Sequence, residues 1–558
     1  MKTEKINKYC EIVLDKSWLT FTYGDCKGYF RGYLYNPFIE KLEAAKYLTK
    51  HFNNLNNESI SVYLNSLRGH YSFILEKENE VIACVDISRS IPLNYMHYND
   101  KIYIFSNTDQ IIDKIIDNKF IVSQSSALSI AMSGCTIGEE TLFSQIKSIN
   151  AGEFLKVNQN NISNCQWYQY LQYKNHSNNF NRNFRELDKI LNRIFDNIIT
   201  SCNGKTILIP LSAGLDSRLV ASFLRKKNYS NVICFSYGQK GNFEAYHAKR
   251  IANVLGFKWF FIEINYNKSN KYYASDNYIK YLKRTDSFSS CPVSHELLAC
   301  EHLKKKGYSS KNTVIINGMP GDFFTGGHIP KELTINSNQN LSANERKKRV
   351  INLYVSKHFS LWEILKTPQN VKIIKDKLEN ELSKFDLNNN EPINDYIYYE
   401  YLEFMNRQSK IIMSNQRVYD FYDYDWRVPF FDYDFINFWK CIGIKDKNSQ
   451  KLYVDYLEKN NLGGVWKPIR KKTWVSPRLH RFLRVPLKAI FYLFANKSKW
   501  EKFNKKYLEY LNDVSKKNAI ISWSQSIKDT RGWRNANSWL VERYLNRYKI
   551  KLKNFIHD

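Results

Sequence analysis

The feature that most constrains this 558-residue chain is residues 211–218, LSAGLDSR, which lie between an apolar run and a helical pattern. Residues 206–211, TILIPL, predict a buried strand, and residues 218–227, with apolar side chains on one face, predict a helix. Small residues at such a turn let backbone N–H groups approach an anion, and the start of the helix adds a favourable dipole. The segment therefore predicts an anion-binding loop in an α/β domain.

Side chains within the loop indicate a phosphate ligand. Ser212 and Ser217 supply hydroxyl donors. Asp216 would repel a phosphate unless a cation lay between them, which implies Mg²⁺. Taken alone, the segment is equally compatible with a plain glycine turn in which Asp216 caps the helix. The segments downstream decide between these interpretations.

Strands and helices alternate along the rest of this half. Strand patterns recur at residues 232–236, 259–264 and 313–317, and a helical pattern covers residues 244–255. This alternation is typical of a parallel sheet that binds its ligand at the carboxyl ends of its strands. The first 170 residues instead show short β patterns, at residues 69–75, 81–86 and 101–106.

Composition excludes several classes of protein. Hydrophobic residues make up 43% and charged residues 25%, which is ordinary for a globular chain and excludes disorder throughout. No apolar run approaches the ~20 residues of a membrane span, and the first ten residues lack the apolar core of a secretory signal. The ten cysteines include no CxxC pair. We therefore expect a cytoplasmic protein with reduced thiols.

The net charge of +29 is unevenly distributed. Residues 451–558 carry 25 Lys and Arg against 8 Asp and Glu, a difference of +17, which favours anionic partners. Lys and Asn are abundant throughout, so compositional drift together with an anionic substrate explains the charge better than a nucleic acid does. We expect the basic helical patterns at residues 482–494 and 500–511 to pack on the preceding domain, with peripheral membrane contact left open.

The loop at residues 211–218 resembles the SGGxDS pyrophosphate loop of the ATP pyrophosphatase superfamily, with Ala213 in place of one glycine. Four more segments narrow the resemblance to the asparagine synthetase family. They are FSYG at 235–238 with the helix pattern that follows from Glu244, NGMPGDFFTGG at 317–327, RVPFFD at 427–432 and RKKTW at 470–474.

The resemblance implies an α/β fold in three parts. An Ntn-hydrolase-like, glutaminase-type αββα domain would cover residues 1–172. A parallel-sheet synthetase domain like the adenine-nucleotide α-hydrolases, with extra helices, would cover residues 183–480, and a basic helical extension would cover residues 481–558.

The resemblance also implies roles for individual residues. Asp216 and Asp322 would hold Mg²⁺ on the phosphates of ATP, and Lys472 would stabilise the charge on the reacting phosphorus or on pyrophosphate. Arg427 and Asp432 are expected to be structural. The ATP would be framed, largely by backbone, by Leu211, Ser212, Gly214, Asp216, Ser217, Ser236, Tyr237, Asn317 and Gly318.

The implied reaction is formation of an amide. A carboxylate attacks the α-phosphate of ATP, pyrophosphate leaves, and an amine then displaces AMP from the acyl-adenylate. Met319 stands where asparagine synthetases carry a Glu, and Phe323 replaces a second Glu, so the acid need not be aspartate. Glu400, Glu403 and Asp420 are candidate bases, and the sequence does not choose among them.

Residues 31–36, 69–73 and 86–95 resemble segments of the family's glutaminase domain. An active domain would need Cys directly after the initiator Met, where this chain has Lys2. Arg31 and Tyr33 occupy the places of the Asn and Glu that hold glutamine. We therefore expect no hydrolysis of glutamine, and the amine would be free ammonia or part of a second substrate.

The leading hypothesis is an ATP-dependent ligase whose partners are an amine and a small-molecule or saccharide carboxylate. The alternatives are asparagine synthase proper acting on aspartate, an enzyme that uses the same loop on tRNA, and an inactive scaffold. The chain shows no thiol pair near the loop and no RNA-binding module, so we expect no nucleic-acid partner. Retention of both aspartates argues against an inactive scaffold. The sequence does not decide whether the protein forms a homodimer.

Overall fold

The computed structural model describes residues 7–36, 38–106, 108–114, 120–159, 161–171, 179–334, 341–385, 394–469, 478–511 and 519–556. Within these ranges the strands form three sheets of four, seven and five strands. In chain order the strands are Cys10–Val13 (β1), Leu19–Tyr23 (β2), Cys26–Asn36 (β3), Phe38–Ile39 (β4), Arg68–Glu76 (β5), Glu80–Val85 (β6), Asn94–Tyr98 (β7), Lys101–Phe105 (β8), Lys147–Ser148 (β9), Glu153–Asn158 (β10), Asn161–Gln166 (β11), Thr206–Pro210 (β12), Val232–Gly238 (β13), Lys258–Glu263 (β14), Thr313–Ile316 (β15) and Asp425–Arg427 (β16).

The α-helices cover both halves of the chain and are most frequent after β15. In chain order they are Lys41–Phe52 (α1), Asn57–Ser66 (α2), Thr108–Lys114 (α3), Gln124–Ser133 (α4), Phe180–Cys202 (α5), Leu215–Lys226 (α6), Phe243–Leu255 (α7), Tyr266–Tyr273 (α8), Asp276–Thr285 (α9), Leu297–Lys305 (α10), Gly321–Phe324 (α11), Ala343–His358 (α12), Pro368–Leu382 (α13), Tyr396–Glu403 (α14), Arg417–Phe421 (α15), Tyr433–Lys440 (α16), Ile444–Lys447 (α17), Lys451–Asn460 (α18), Arg478–Phe494 (α19), Lys497–Phe503 (α20), Trp523–Lys528 (α21) and Ala536–Arg547 (α22).

The N-terminal half is a sandwich of two sheets. One sheet has the order β11-β10-β6-β5-β3-β2 with β4 beside β3, and the other has the order β1-β8-β7-β9. Because side chains alternate along a strand, β5 has two apolar faces. Ile74 belongs to the core between the sheets, which it shares with Leu93. Phe73 faces α1, where its ring lies 5.0 Å from that of Phe52.

The C-terminal half is built on a parallel sheet with the order β14-β13-β12-β15-β16. Helices α6 and α7 carry the chain from β12 outwards to β14, and the chain then returns to place β15 on the other side of β12. The strand order therefore reverses between β12 and β15. Ligands of such sheets bind in the crevice outside the carboxyl ends of the strands at this reversal.

The predicted α/β fold is confirmed, with a two-sheet, helix-flanked N-terminal half followed by a parallel-sheet half. The strands predicted at residues 206–211, 232–236, 259–264 and 313–317 correspond to β12 to β15. The domain boundaries stay predictions, since residues 172–178, at the junction of the first two predicted domains, lie outside the described residues.

One expectation about the C-terminal region is wrong. Residues 482–494 are helical as predicted, but α19 does not bury its large apolar side chains: Phe482 is 76% exposed and Phe494 is 82% exposed. Helix α22 does pack inwards, with Trp539 and Tyr544 buried. No described helix is both long enough and apolar enough to cross a membrane.

Arg427 and Asp432 join the two halves of the molecule, in line with the structural role expected of them. The Arg427 guanidinium lies 3.8 Å from the ring centre of Tyr33 on β3 and donates to the Ser201 hydroxyl at 2.9 Å. Asp432 caps α16 and accepts a hydrogen bond from the Tyr35 hydroxyl. The sandwich thus packs directly against the edge of the parallel sheet.

A buried ion pair gives a test of the packing between α14 and α17. The Lys447 ammonium lies 2.7 and 3.0 Å from the two oxygens of Glu400, and both residues are buried. Lys447→Met should lower the free energy of unfolding by about 3 kcal/mol, because it leaves a buried carboxylate without its cation. Adding Glu400→Gln should restore most of the loss, as measured by urea denaturation.

Lys445→Met is the matched control, because Lys445 lies on the exposed side of the same helix. An equal loss in Lys445→Met, or no recovery in the double variant, would contradict the importance of the pair.

Candidate active site

A cavity of about 700 Å³ opens at the carboxyl ends of β12, β13 and β15. The loop after β12, the end of β13 and the segment after β15 form its floor, and α18 and Trp466 form part of its wall. The predicted site residues that line it are Ser212, Gly214, Asp216, Ser217, Tyr237, Asn317, Gly318 and Asp322.

Three predicted site residues do not line the cavity. Ser236 and Leu211 lie beneath its floor, where the Ser236 hydroxyl donates to the Leu211 carbonyl at 2.7 Å. The Trp259 indole N–H donates to the same hydroxyl at 3.1 Å. Lys472 lies outside the described residues, although Ile469, three residues earlier, lines the cavity.

The loop after β12 is held in one conformation by its own side chains. The Ser217 hydroxyl accepts a hydrogen bond from the Ser212 N–H, and the Ser212 hydroxyl accepts one from the Gly214 N–H, each at 3.0 Å. The Ala213 N–H donates to Glu244 at 2.6 Å. Ala213 does not have a positive φ, so the loss of a glycine at this position carries no strain.

Gly214 begins α6 without any side-chain cap. Asp216 lies two residues further along, in the first turn of α6, and its carboxylate accepts from the Asp322 N–H and the Tyr453 hydroxyl, both at 3.0 Å. The interpretation of Asp216 as a helix cap is therefore wrong. The start of α6 lies at the cavity without a side-chain cap, as an anion-binding helix start requires.

Two glycines bring the segment after β15 onto α6. A Cβ at Gly318 would lie 2.8 Å from the backbone carbon of Asp216 and from the Ser217 nitrogen. A Cβ at Gly321 would lie 2.5 Å from a carboxylate oxygen of Asp216. Any side chain at either position would separate the segments. This close approach places Asp322 beside Asp216 although 106 residues separate them in sequence.

The pKa values of Asp216 and Asp322 are shifted in opposite directions. Burial, followed by the charge of Asp322, raises the pKa of Asp216 to about 8. Burial would also raise the pKa of Asp322, but the hydrogen bond and charge of His328 outweigh it, so this pKa is lowered. Burial opposes protonation of His328, yet Glu403 and Asp322 raise its pKa to about 9.

His328 connects Asp322 to one of the three candidate bases. Its Nε2 lies 3.2 Å from the Asp322 carboxylate, and its Nδ1 contacts Glu403. Glu403 is fully buried and also interacts with His358 at 3.1 Å and Gln408 at 2.9 Å. Sequence reasoning missed His328, although it directly follows the glycine pair of the NGMPGDFFTGG segment.

The other two candidate bases are held elsewhere. Glu400 is paired with Lys447. Asp420 accepts from the Trp426 indole N–H at 2.9 Å and lies 3.4 Å from Arg31 of the sandwich. Of the three, only Glu403 is linked to the cavity through contacts that the structure describes.

A buried carboxylate also lies on the opposite side of the cavity. Glu296 accepts a hydrogen bond from the Tyr419 hydroxyl. The Tyr237 hydroxyl and the Asn317 amide each lie 3.4 Å from Glu296. Asn317 also donates to the Tyr419 hydroxyl at 2.9 Å. No motif marks Glu296 or Tyr419, so this network could not be predicted from sequence patterns.

The donor set suits a hard cation. The described residues contain no group of three or more His, Cys, Asp and Glu arranged to hold a metal. Mg²⁺ typically takes one or two protein carboxylates and completes its shell with water and phosphate oxygens. Asp216 and Asp322 meet that requirement. Burial and then the charge of Asp322 raise the pKa of Asp216, and a bound cation would offset that charge.

Residues 205–458 match the family model for asparagine synthase. This match bears out the family resemblance of the signature segments within that range. No curated protein sequence matches the chain.

Three solved structures show partial likeness. Glutamine PRPP amidotransferase from B. subtilis, complexed with ADP and GMP, is 12% identical, with 54% of this chain and 64% of that chain covered and a TM-score of 0.19. An allosteric regulatory enzyme of purine biosynthesis is 14% identical, with 54% and 56% covered and a TM-score of 0.19. NH3-dependent NAD synthetase from Campylobacter jejuni, in complex with nitrate, is 16% identical, with 38% and 98% covered and a TM-score of 0.20.

The chain spans less than two thirds of the first two structures. TM-scores this low do not establish a fold or a function for this protein.

The crowded carboxylates predict a pH-dependent gain in stability for Asp216→Asn. The pKa of Asp216 is about 8 in the folded protein and about 4 in an unfolded chain. Above about pH 4 the unfolded state releases this proton while the folded state retains it, so this group increasingly destabilises the fold up to about pH 8. The stabilisation by Asp216→Asn should therefore grow with pH over that window.

Thermal denaturation of the ligand-free protein at a series of pH values measures this effect. Asp25→Asn, which alters an exposed carboxylate of the sandwich, should show no such trend. A difference between Asp216→Asn and the unmodified protein that stays flat with pH would contradict the crowding.

Proposed function

We propose that the asparagine synthase domain at residues 205–458 is the catalytic part of an ATP-dependent ligase that activates a carboxylate as an acyl-adenylate and transfers it to an amine. One observation carries the proposal: Asp216 and Asp322, from the loops after β12 and β15, meet in one cavity beside the uncapped start of α6. Paired carboxylates beside an anion-binding turn suit a metal–triphosphate ligand.

The nucleotide would lie across the strand ends. Its phosphates would face the loop at residues 212–217, and Asp216 and Asp322 would hold Mg²⁺, which offsets phosphate charge when bound. The buried network of Glu296, Tyr419 and Asn317 supplies polar groups for the nucleoside end. Lys472 remains a predicted partner of the phosphates.

The proposed reaction has two steps. An oxygen of the substrate carboxylate bonds to the α-phosphorus while the bond from that phosphorus to the bridging oxygen breaks, and pyrophosphate leaves. The amine nitrogen then bonds to the acyl carbon, the bond from that carbon to the AMP oxygen breaks, and the nitrogen loses a proton to solvent. Met319 lines the cavity but has no group that takes or gives a proton.

Cations gather on the Asp322 side of the site. The Lys357 ammonium donates to the His328 carbonyl at 2.7 Å, and Arg407 lies 3.4 Å from Glu403. Arg534 donates to the Lys357 carbonyl at 2.6 Å. These cations favour an acid that carries a further negative group, such as an acidic saccharide, and they would accept aspartate by the same argument.

The N-terminal sandwich is proposed to act as a support without hydrolysing glutamine. Arg31 lies 3.4 Å from both Asp15 and Asp420. The Tyr33 hydroxyl lies 2.7 Å from His70, and its ring stacks on Arg427. The side chains in the places of the glutamine-holding pair are thus engaged in contacts within and between the two halves. A cytoplasmic location and a homodimer remain predictions.

Exchange of pyrophosphate with ATP tests the activation step directly. With a panel of aspartate, uronic acids and peptide carboxylates, at least one acid should drive exchange. Asp216→Ala and Asp322→Ala should each reduce the rate by about 100-fold or more, since each removes a charge that holds the metal at the developing phosphate charge. Lys472→Ala should reduce it as well.

Lys467→Ala is the control for Lys472→Ala, because Lys467 is exposed and lies close to Lys472 in the sequence. Exchange that persists in Asp216→Ala would remove that residue from the reaction. A calorimetric titration that shows no binding of Mg-ATP at all would favour an inactive scaffold.

The cations beside Asp322 predict that a variant can change the KM for the acid without changing the KM for ATP. Arg407→Gln should raise the KM for the activated acid about tenfold or more, while the KM for ATP changes little, because a cation on the side proposed for the acid is lost. Lys305→Gln, on the exposed surface of α10, should change neither value. An equal rise in both KM values for Arg407→Gln would contradict the placement of the acid.

A further inference from the structure

Helix α19 presents an apolar face outwards. Phe482, Leu483 and Leu493 are 76%, 59% and 77% exposed, and the other large exposed apolar side chains of the helix are Val485, Ile490, Tyr492 and Phe494. Monomeric proteins rarely leave so many large apolar groups together in water. The face therefore needs an explanation beyond the fold itself.

The side of α19 that touches the rest of the protein is narrow. Arg484, Leu487 and Phe491 are the half-buried positions between 482 and 494, and their spacing of three and four residues places them on one stripe. The Phe491 ring lies 5.7 and 4.9 Å from those of Trp500 and Phe503 on α20. Arg484 donates to Asn504 at 3.0 Å.

Between residues 482 and 494, the opposite side carries no charged residue. An apolar residue recurs on this side at each turn of the helix: Phe482, Pro486, Ala489 or Ile490, and Leu493. The charged residues between 482 and 494 are Arg484 and Lys488, which both lie off this face. Among the described residues, the apolar side of α19 faces outwards and the mixed side faces the protein. This is the reverse of the usual arrangement of a surface helix.

Cations outnumber acidic residues on α19, on α20 and in the residues that follow α20. Residues 478–511 contain nine Lys and Arg against two Glu. Lys497, Lys499, Lys502 and Lys506 are exposed on or just after α20. A second copy of the chain docking here would bring two such cationic surfaces together, which is unfavourable. An anionic surface with an apolar interior would satisfy both the charges and the apolar side chains.

We propose that α19 lies in the interface of an anionic lipid bilayer, with its apolar face toward the acyl chains and the cations of α19 and α20 against the headgroups. Helices of this kind combine an apolar face with cations and lie in the membrane plane without crossing it. The protein would then be held at the surface of an anionic membrane.

Vesicle flotation of the full-length protein tests the proposal. The protein should float with vesicles of phosphatidylcholine and phosphatidylglycerol and bind far less to phosphatidylcholine alone, and added salt should weaken the binding. The double variant Phe482→Ser/Leu493→Ser should reduce the bound fraction about tenfold or more, since it removes apolar contact with the acyl chains. Lys497→Gln/Lys502→Gln/Lys506→Gln should lose the preference for anionic vesicles.

Val62→Ser/Ile121→Ser is the matched control, because both residues are exposed apolar side chains of the sandwich; it should bind vesicles like the unmodified protein. The α19 variants should keep their pyrophosphate exchange, so the membrane proposal and the proposed function fail independently. Absence of binding to anionic vesicles would overturn the proposal. So would a dimer in light scattering that Phe482→Ser/Leu493→Ser abolishes, because a second copy would then cover the face.

Discussion

The site depends on one close contact, between the segment after β15 and the first turn of α6. Gly318 and Gly321 have no Cβ where one would overlap Asp216 or Ser217, so the two segments touch through backbone. The Asp322 N–H donates to the Asp216 carboxylate at 3.0 Å as a result. Asp216, whose pKa is raised by burial and then by the charge of Asp322, is thereby held beside a second carboxylate at one cavity. This arrangement favours a bound cation.

The rest of the fold positions that contact from both sides. The reversal of strand order between β12 and β15 opens the crevice into which both loops project. On the far side, the Asn317 N–H donates to the Arg427 carbonyl at 3.0 Å, and Arg427 stacks on Tyr33 of the sandwich. The N-terminal half thus supports the segment that carries Asp322. This supporting role explains why Arg31 and Tyr33 of the sandwich make contacts between the two halves.

Sequence patterns predicted the parts of the fold that depend on local signals. The strands β12 to β15 were recognisable because each contains a short apolar run. The aspartates were recognisable because they lie in segments with a characteristic order of small and acidic residues. Strand β16 was missed because it has three residues, Asp425–Arg427, and is defined by its pairing with β15. His328, Glu296 and Tyr453 were missed because only the tertiary fold brings them to the cavity.

The direction in which α19 faces could not be predicted from its sequence either. Its apolar and cationic periodicity specifies a helix with two different sides, but that pattern fits packing on a core as well as contact with an external surface. Only the narrow contact with α20 shows that the apolar side is directed outwards.

An experimental structure of the protein with Mg²⁺ and α,β-methylene ATP, which cannot release pyrophosphate, tests the central claim most directly. The phosphates should lie over the loop at residues 212–217, with the metal within about 2.1 Å of an Asp216 or Asp322 oxygen. The nucleoside should extend toward Tyr237 and Asn317. A nucleotide bound elsewhere, or one bound in the cavity with both carboxylates turned away from its metal, would contradict the claim.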